Sequence, residues 1–247
     1  MDLAFYTYFY GSNNNPAFYI PEIPTLKYKC YYFTNNMNMF NLLKNSNWIP
    51  IFDNKPINEN LIASCMDGKD IKVLPHKNDV LQSHSYLCYL DNKLIHIDID
   101  FVERYINNYF IQQNYALLLR VHQFVHESVW NEFKESMLQE RYRIQSDQYR
   151  QYIKSQLDNG LSETTPTHCT CNFIIRNMKH EKINSINETW YQHIQECGIQ
   201  DQISFFFVKQ IYESYIFPYT ESQYKQHQNR QQYNMMSLIN NVTRIVM

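Results

Sequence analysis

The chain has 247 residues, of which 44% are hydrophobic and 19% charged, and its formal net charge is -2. This length can bury a full core in one large domain. A nearly neutral chain without a block of Lys or Arg disfavours a nucleic-acid partner, which needs a basic surface. No apolar run approaches the ~18 to 20 residues of a membrane span. The acidic Asp2 also does not fit the basic start of a signal peptide, so a cytoplasmic, non-secreted protein is expected.

The first quarter of the chain predicts three strands followed by a broken helix. Residues 3–10, 30–34 and 48–52 are rich in aromatic and branched side chains, which is typical of strands. Residues 57–74 carry apolar side chains at a spacing that is only partly helical, and Gly68 interrupts them. The pattern therefore predicts a broken helix that ends at Pro75.

The most informative stretch is residues 85–94, with the sequence SYLCYLDNKL. Residues 87–90 form a short apolar run, as a strand buried on both faces requires, and Asp91 ends it with the turn-forming Asn92 behind. Ligands of open α/β sheets bind at the carboxyl ends of strands. Asp91 is therefore a candidate for metal and phosphate binding, and the alternative is an Asp that simply starts a tight turn.

The only D-x-D sequence in the chain is Asp98-Ile99-Asp100. It could be a metal motif, but Asp100 followed by Glu103 also matches a capping box in front of a helix. We therefore predict that Asp100 caps this helix and that Glu103 reaches back to it.

The second half predicts further strands and helices in alternation. Residues 115–120 and 169–176 are apolar runs of strand length, and residues 127–157 predict two amphipathic helices with solvated charged faces. Residues 183–197 and 200–212 predict the last two core helices. Alternating strands and helices predict an α/β fold, a central sheet with at least one covering helix layer. The glycine-rich dinucleotide and P-loop motifs and the G-x-S-x-G nucleophile motif do not occur.

Several spaced segments, taken in order, carry a resemblance to a known family. They are TYFYG, CYYFTNN, GKDIKVLPH, SYLCYLDNKL, LLLRVHQF, FIIRNMKH and QDQISFFFV. Together they resemble the glycosyltransferase-like family of plant TOD- and MUCI-type proteins, also called domain of unknown function 616, as a viral or bacterial-type member. The similarity runs from about residue 3 to residue 212.

The resemblance implies a single GT-A-like, nucleotide-sugar-binding domain over residues 1–217, with a central, mostly parallel sheet flanked by helices. Residues 218–247 would be a Gln- and Asn-rich appendage, through which a homodimer could form. The implied enzyme transfers a hexosyl or pentosyl unit from a nucleotide-diphosphate donor, with UDP expected, to a glycan or glycoprotein acceptor. A viral member would act in the host cytoplasm or in the virion.

The same resemblance assigns site residues by position. Asp91 would bind the nucleotide and a divalent cation, Mn²⁺ or Mg²⁺, and metal dependence should be weak because Lys93 stands where many metal-dependent transferases have a second acid. Gln200 replaces an Arg of the family pattern. Asp201 and Gln202 would be the catalytic pair that faces the transferred sugar, with Asp201 as the base if the reaction inverts. The expected nucleotide-binding residues are Thr7, Phe9, Lys69, Lys72, Asp91, Arg176 and His180.

Two other functions stay open at this stage. One plant member of the family has been described as a ceramidase, so an amide hydrolase is the first alternative. The hydrolase would need a metal-activated water or a Ser/His set, and the histidines of this chain are scattered along the sequence. The second alternative is a non-catalytic nucleotide-sugar-binding protein, which the missing second acid would permit.

Overall fold

The computed structural model describes residues 1–125, 127–221 and the backbone of Lys225–Gln226. Within these residues, seven strands form one central sheet and four two-residue strands form two small ribbons. The central strands are β1 (Leu3–Phe9), β2 (Lys29–Thr34), β3 (Ile49–Phe52), β4 (Tyr86–Leu90), β6 (Leu117–Val121), β9 (Cys169–Asn177) and β10 (Ile216–Tyr219). The short ones are β5 (Leu94–Ile95), β7 (Glu127–Ser128), β8 (Thr164–Thr165) and β11 (Lys225–Gln226).

The predicted α/β class with a mostly parallel sheet is confirmed. The spatial order is β10-β6-β9-β4-β1-β2-β3, so β4, the strand predicted as central, lies in the middle of the sheet. All neighbouring pairs are parallel except those of β9, which runs antiparallel to both β4 and β6. The carboxyl ends of β1, β2 and β4 therefore meet at one edge of the sheet, where β9 begins.

Helices cover both faces of the sheet. They are α1 (Met37–Leu43), α2 (Leu61–Asp67), α3 (Lys69–Val73), α4 (Ile99–Tyr105, continued by a π-helical turn over Ile106–Ile111), α5 (Val129–Ser136), α6 (Glu140–Arg143), α7 (Ser146–Asp158), α8 (Ile183–Cys197) and α9 (Asp201–Ile211). Short 3-10 turns cover Pro75–Lys77, Leu81–Ser83 and Glu213–Tyr215. The prediction for residues 183–197 is confirmed at both ends, whereas residues 127–157 form three helices instead of the predicted two.

Alternation along the strands sends successive side chains into two separate cores. Tyr6 of β1 and Tyr89 of β4 pack with Trp190 of α8 on one face. Phe5 packs with Phe101 of α4 on the other face. A third cluster joins α5, α6 and α7 to the outer side of α9. The face that carries α3, α8 and α9 is called the α9 face below.

The cap of α4 differs from the prediction. Asp98 is the N-cap residue, and its side chain accepts a hydrogen bond from the backbone N–H of Phe101 at 3.0 Å. Asp100 lies inside the first turn. Glu103 does not reach back but accepts a hydrogen bond from the hydroxyl of Tyr28. The helix begins earlier than the capping-box pattern indicated because Asp98 still has an extended backbone, as a cap requires.

The predicted domain boundary at residue 217 falls inside a strand. β10 pairs in parallel with β6, and Tyr219 is buried between Phe101 and Tyr105. The domain therefore includes residues 218 and 219 because their removal would uncover core side chains. β11 pairs with β5 in antiparallel orientation. Residues 222–224 and 227–247 of the predicted appendage, with the predicted dimer contact, lie outside the described residues. In the described part, no helix is long and apolar enough to cross a bilayer.

A single substitution tests whether β10 belongs to the folded domain. Tyr219→Ala should lower the free energy of unfolding by about 3 to 5 kcal/mol, because it empties a fully enclosed aromatic position. Urea unfolding of the purified protein measures this change. Phe124→Ala is the matched control because 85% of Phe124 is exposed. Equal stability of the two variants would mean that the domain does end at residue 217.

Candidate functional site

A cluster of charged side chains lies at the carboxyl end of β4, on the α9 face. Asp201 Oδ2 is 2.8 Å from Lys69 Nζ and 2.6 Å from Lys72 Nζ. Asp91 lies beside them, with Oδ1 3.8 Å from Lys72 Nζ and Oδ2 3.6 Å from Lys93 Nζ. These five residues, Lys69, Lys72, Asp91, Lys93 and Asp201, are called the charged cluster below.

The local sequence explains how both lysines of α3 reach the cluster. Lys69 and Lys72 are three residues apart, so they lie on one face of the helix. Gly68 separates α3 from α2 and packs directly against the ring of Tyr8, which a Cβ at this position would overlap. The chain can therefore pass close to β1 and start α3 over the end of the sheet. The predicted interruption at Gly68 is confirmed and has this steric cause.

Buried hydrogen bonds hold the backbone of Lys72 in place. The Tyr6 hydroxyl donates to the carbonyl oxygen of Lys72 at 2.9 Å, and Arg176 Nη1 donates to the Tyr6 hydroxyl at 2.9 Å. Arg176 Nε donates in turn to Asn187 Oδ1 at 3.2 Å. The Lys72 ammonium also lies 4.7 Å from the ring centre of Tyr89, within the range of a cation–π interaction. Lys72 is therefore positioned by several contacts of the α9 face.

The carboxylates and Lys72 are charged at neutral pH. Burial acts to raise the pKa of Asp201, but Lys69 and Lys72 outweigh it and hold that pKa well below its usual range. Burial likewise opposes ionisation of Asp91, but Lys72 and Lys93 keep its pKa low. Burial would lower the pKa of Lys72, and the two carboxylates raise it far above its usual value.

Arg141 of α6 adds a further positive charge. Tyr142 in the first place, followed by Cys65, Asp91 and Asp201, raises the pKa of Arg141 above its usual value. Its Nη2 donates to the Tyr142 hydroxyl at 2.8 Å. With Arg141, the cations outnumber the two carboxylates of the cluster. The lysines of the cluster favour an anionic ligand, whereas the neighbouring side chains also include the carboxylates Glu132 and Glu135.

A cavity of about 380 Å³ opens beside the charged cluster. Lys93 and Gln202 line it on the cluster side, and Arg141 lies in its wall. Its lining also includes Glu132 of α5 and Phe124. Side chains that donate and accept hydrogen bonds thus surround a space next to Asp201, with one exposed aromatic ring at the border.

Glu132 is a buried carboxylate that the sequence analysis did not identify. Its Oε2 is 2.9 Å from His168 Nε2, and its Oε1 accepts hydrogen bonds from Gln200 and Ser136. Burial would raise the pKa of Glu132, but the interaction with His168 prevails and lowers it. No sequence signal singles out Glu132 or Arg141, because each resembles the solvated charges of an amphipathic helix.

The structure brings together most of the residues predicted for the site. Lys69, Lys72, Asp91 and Asp201 form the charged cluster, although their positions in the sequence are far apart. Gln202 lines the adjacent cavity. That these residues bind a nucleotide and that Gln202 faces a sugar stay predictions.

The prediction that Thr7 and Phe9 share one site with Asp91 is wrong, because neither is part of the charged cluster. Phe9 is buried in the core of the opposite face together with Phe5. Thr7 lies two residues from both Phe5 and Phe9 in β1, so its side chain faces the same way as theirs. Asp91 lies on the α9 face, where its Oδ1 accepts a hydrogen bond from the Tyr89 hydroxyl. Successive residues of a strand point to opposite faces, so Thr7 and Asp91 lie on opposite sides of the sheet.

Arg176 and His180 also lie away from the predicted position, because β9 is antiparallel to β4. Arg176 pairs with Leu87, near the amino end of β4, and is fully buried. His180 follows the end of β9 and thus lies beyond the edge opposite to Asp91. Arg176 supports Lys72 through the Tyr6 hydroxyl, and His180 is not part of the charged cluster.

The side chains present do not fit the predicted Mn²⁺ or Mg²⁺ at Asp91. Both carboxylate oxygens face ammonium groups, and the Tyr89 hydroxyl donates to Oδ1 at 2.6 Å. Asp201, the other carboxylate nearby, is enclosed by Lys69 and Lys72. In the part of the chain that the structure describes, no group of three His, Cys, Asp or Glu could hold a metal ion. Divalent hard cations need several oxygen ligands and would meet like charges here.

No protein-family model matches the sequence, and no curated protein matches it. Among solved structures, the chain is similar to the apo form of mouse xyloside xylosyltransferase 1, with 8% identity, a TM-score of 0.46, and coverage of 87% of this chain and 83% of that chain. It is also similar to the apo structure of the WbbM bifunctional glycosyltransferase, with 11% identity, a TM-score of 0.41 and coverage of 87%. The chain spans 37% of the WbbM chain. Both TM-scores lie below 0.5, so neither similarity carries a conclusion about the function of this chain.

The electrostatic role of Asp201 predicts a pH-dependent loss of stability. Its pKa is lowered on folding, so its stabilising effect is complete above the unfolded pKa of about 4 and is lost as the pH falls further. Asp201→Asn should cost about 3 to 5 kcal/mol at pH 7, because it leaves Lys69 and Lys72 without a buried counter-charge. The difference from wild type should shrink steadily as the pH is lowered below about 4.

Chemical unfolding at several pH values measures both effects. Asp147→Asn is the matched control, since the side chain of Asp147 is 86% exposed and forms only a surface pair with Arg150. A difference between wild type and Asp201→Asn that stays constant from neutral to acidic pH would contradict the assigned ion pairs.

Proposed function

We propose that the protein is a glycosyltransferase that takes a sugar from a nucleoside diphosphate donor, with UDP as the expected nucleotide, and transfers it to a glycan or glycoprotein acceptor. We also propose that it belongs to the TOD- and MUCI-type family. The observation that carries the proposal is the charged cluster itself, in which three lysines accompany two carboxylates, beside a cavity at the carboxyl ends of parallel strands. Ligands of open α/β sheets bind at this edge.

The charges match what sugar transfer requires. Breaking the bond between sugar and phosphate leaves negative charge on the departing diphosphate and develops positive charge on the sugar ring. Lys72 and Lys93 are placed to bind phosphate oxygens, and Arg141 offers a planar guanidinium, which binds phosphate well. Because these cations are fixed by the fold, they can stabilise the leaving group with little reorganisation.

The cavity supplies a place for the hydroxyl-rich part of a substrate. Its volume of about 380 Å³ is at the small end of typical ligand sites, which suits one or two sugar rings. Gln202, which lines the cavity, can hydrogen-bond hydroxyl groups there. Phe124, which is 85% exposed, offers an apolar ring surface at the border of the cavity. Polar groups for hydroxyls and a ring for the apolar face of a sugar together favour a carbohydrate ligand.

Asp201 takes a different role from the predicted base. A general base works best when its pKa lies near the working pH, and the pKa of Asp201 is held far below it. Its side chain instead holds Lys69 and Lys72 at 2.8 and 2.6 Å. Asp201 is therefore proposed as a positioning residue for the lysines, and Gln202 as the residue that contacts the sugar.

Nucleotide binding is the first test of the proposal. UDP and UDP-sugars should raise the melting temperature of the wild-type protein, because a ligand that binds only the folded state stabilises it. Lys72→Met should weaken UDP binding on the order of 10-fold or more, the value of a lost charge-assisted hydrogen bond. Isothermal titration calorimetry measures the affinity of both proteins.

Lys77→Met is the matched control for the loss of a positive charge. Lys77 lies close by in sequence, but its side chain is 57% exposed and pairs with Glu188 outside the charged cluster. Its variant should bind UDP as wild type does. If no nucleoside diphosphate raises the melting temperature, the proposed function is wrong, and binding without sugar transfer to any glycan acceptor would indicate a non-catalytic binder.

A further inference from the structure

We propose that the chain's own ammonium groups replace a divalent cation at this site, so that the diphosphate of the donor binds without metal. This inference rests on the proposed function and concerns the same site. It assigns to Lys72 and Lys93 the charge neutralisation that a metal ion bound to carboxylates would otherwise supply.

Lys93 lies beside Asp91. It follows Asp91 by two residues, and its Nζ lies 3.6 Å from Asp91 Oδ2. Lys72 Nζ approaches the other oxygen, Oδ1, at 3.8 Å, and the Tyr89 hydroxyl donates to the same oxygen at 2.6 Å. Both oxygens of Asp91 thus already face positive groups. A divalent cation bound to Asp91 would lie within a few Å of two ammonium groups and be strongly repelled by them.

Asp201 is not available as a second metal ligand. A metal site of the usual kind would need more oxygen ligands beside Asp91, and Asp201 is the carboxylate within reach of the same lysine. Asp201 is buried, and its Oδ2 is in direct contact with both Lys69 and Lys72. To bind a metal, it would have to give up two buried ion pairs.

The two lysines differ in a way that suits a ligand site. Lys72 is buried and held by the Tyr6 hydroxyl at its backbone and by the Tyr89 ring at its ammonium group. The side chain of Lys93 is 32% exposed and lines the cavity. Lys72 therefore offers a fixed charge at the end of the sheet, whereas Lys93 can move toward a phosphate that enters from the cavity.

Calorimetry with UDP tests the inference on the full chain, in buffer with EDTA and in buffer with Mn²⁺. Wild-type affinity should agree within about threefold between the two buffers. Lys93→Met should bind UDP on the order of 10-fold more weakly than wild type in both buffers, because one cation is lost. Lys93→Asp should bind poorly in EDTA and recover at least about 10-fold when Mn²⁺ is added, because it creates a second carboxylate beside Asp91.

The outcomes separate the inference from the proposed function. Wild-type binding that falls more than about 10-fold in EDTA would overturn the inference and leave the nucleotide site intact. A Lys93→Met variant that binds as wild type does in EDTA would also overturn it. Absence of UDP binding in both buffers would overturn the proposed function itself, and the inference with it. Lys93 is partly exposed, so melting temperatures near that of wild type are expected for both variants and show that they are folded.

Discussion

The site depends on the ion pairs that Lys69 and Lys72 form with Asp201. A buried ammonium group is costly unless a counter-charge and hydrogen bonds accompany it. Asp201 supplies that charge from the first turn of α9, where the helix N-terminus also stabilises a carboxylate. The contact joins two helices, α3 and α9. Lys69 and Asp201 are 132 positions apart in the sequence. Without it, α3 could not place two positive charges at the end of the sheet.

The aromatic residues of β1 and β4 make this arrangement rigid. Tyr6 connects Arg176 to the backbone of Lys72, and Tyr8 lies against Gly68 at the start of α3. Behind Asp201, Trp190 Nε1 donates to Ser204 Oγ at 3.1 Å. These contacts belong to the core of the α9 face, so the energy that folds the domain also fixes the charges. Charges that are fixed before a ligand arrives stabilise a departing anion more effectively than groups that must first reorganise.

The sequence was sufficient to predict those parts of the site that depend on local pattern. The two-sided apolar run before Asp91 indicated a central strand, and Gly68 indicated a break between two helices. The face of the sheet on which Thr7 lies depends on which side of β1 packs against which helices. A run of alternating Tyr and Phe is compatible with either orientation. The position of His180 depends on the direction of β9, which no local pattern encodes. The partners of Asp201 could not be predicted because long-range contacts leave no periodic signal.

The distances within the charged cluster indicate different roles for Asp201 and Asp91. The contacts of Asp201 with the lysines, at 2.6 and 2.8 Å, have the length of strong charge-assisted hydrogen bonds. Those of Asp91, at 3.6 and 3.8 Å, are too long for direct hydrogen bonds. Asp201 therefore fixes Lys69 and Lys72. Asp91 balances the positive charge of Lys72 and Lys93 through longer contacts, which occupy their N–H donors less tightly. In the proposed enzyme, a phosphate oxygen entering from the cavity would compete with the long contacts and leave the short ones intact. The diphosphate could then bind and leave in each turnover while the framework of α3 and α9 stays in place.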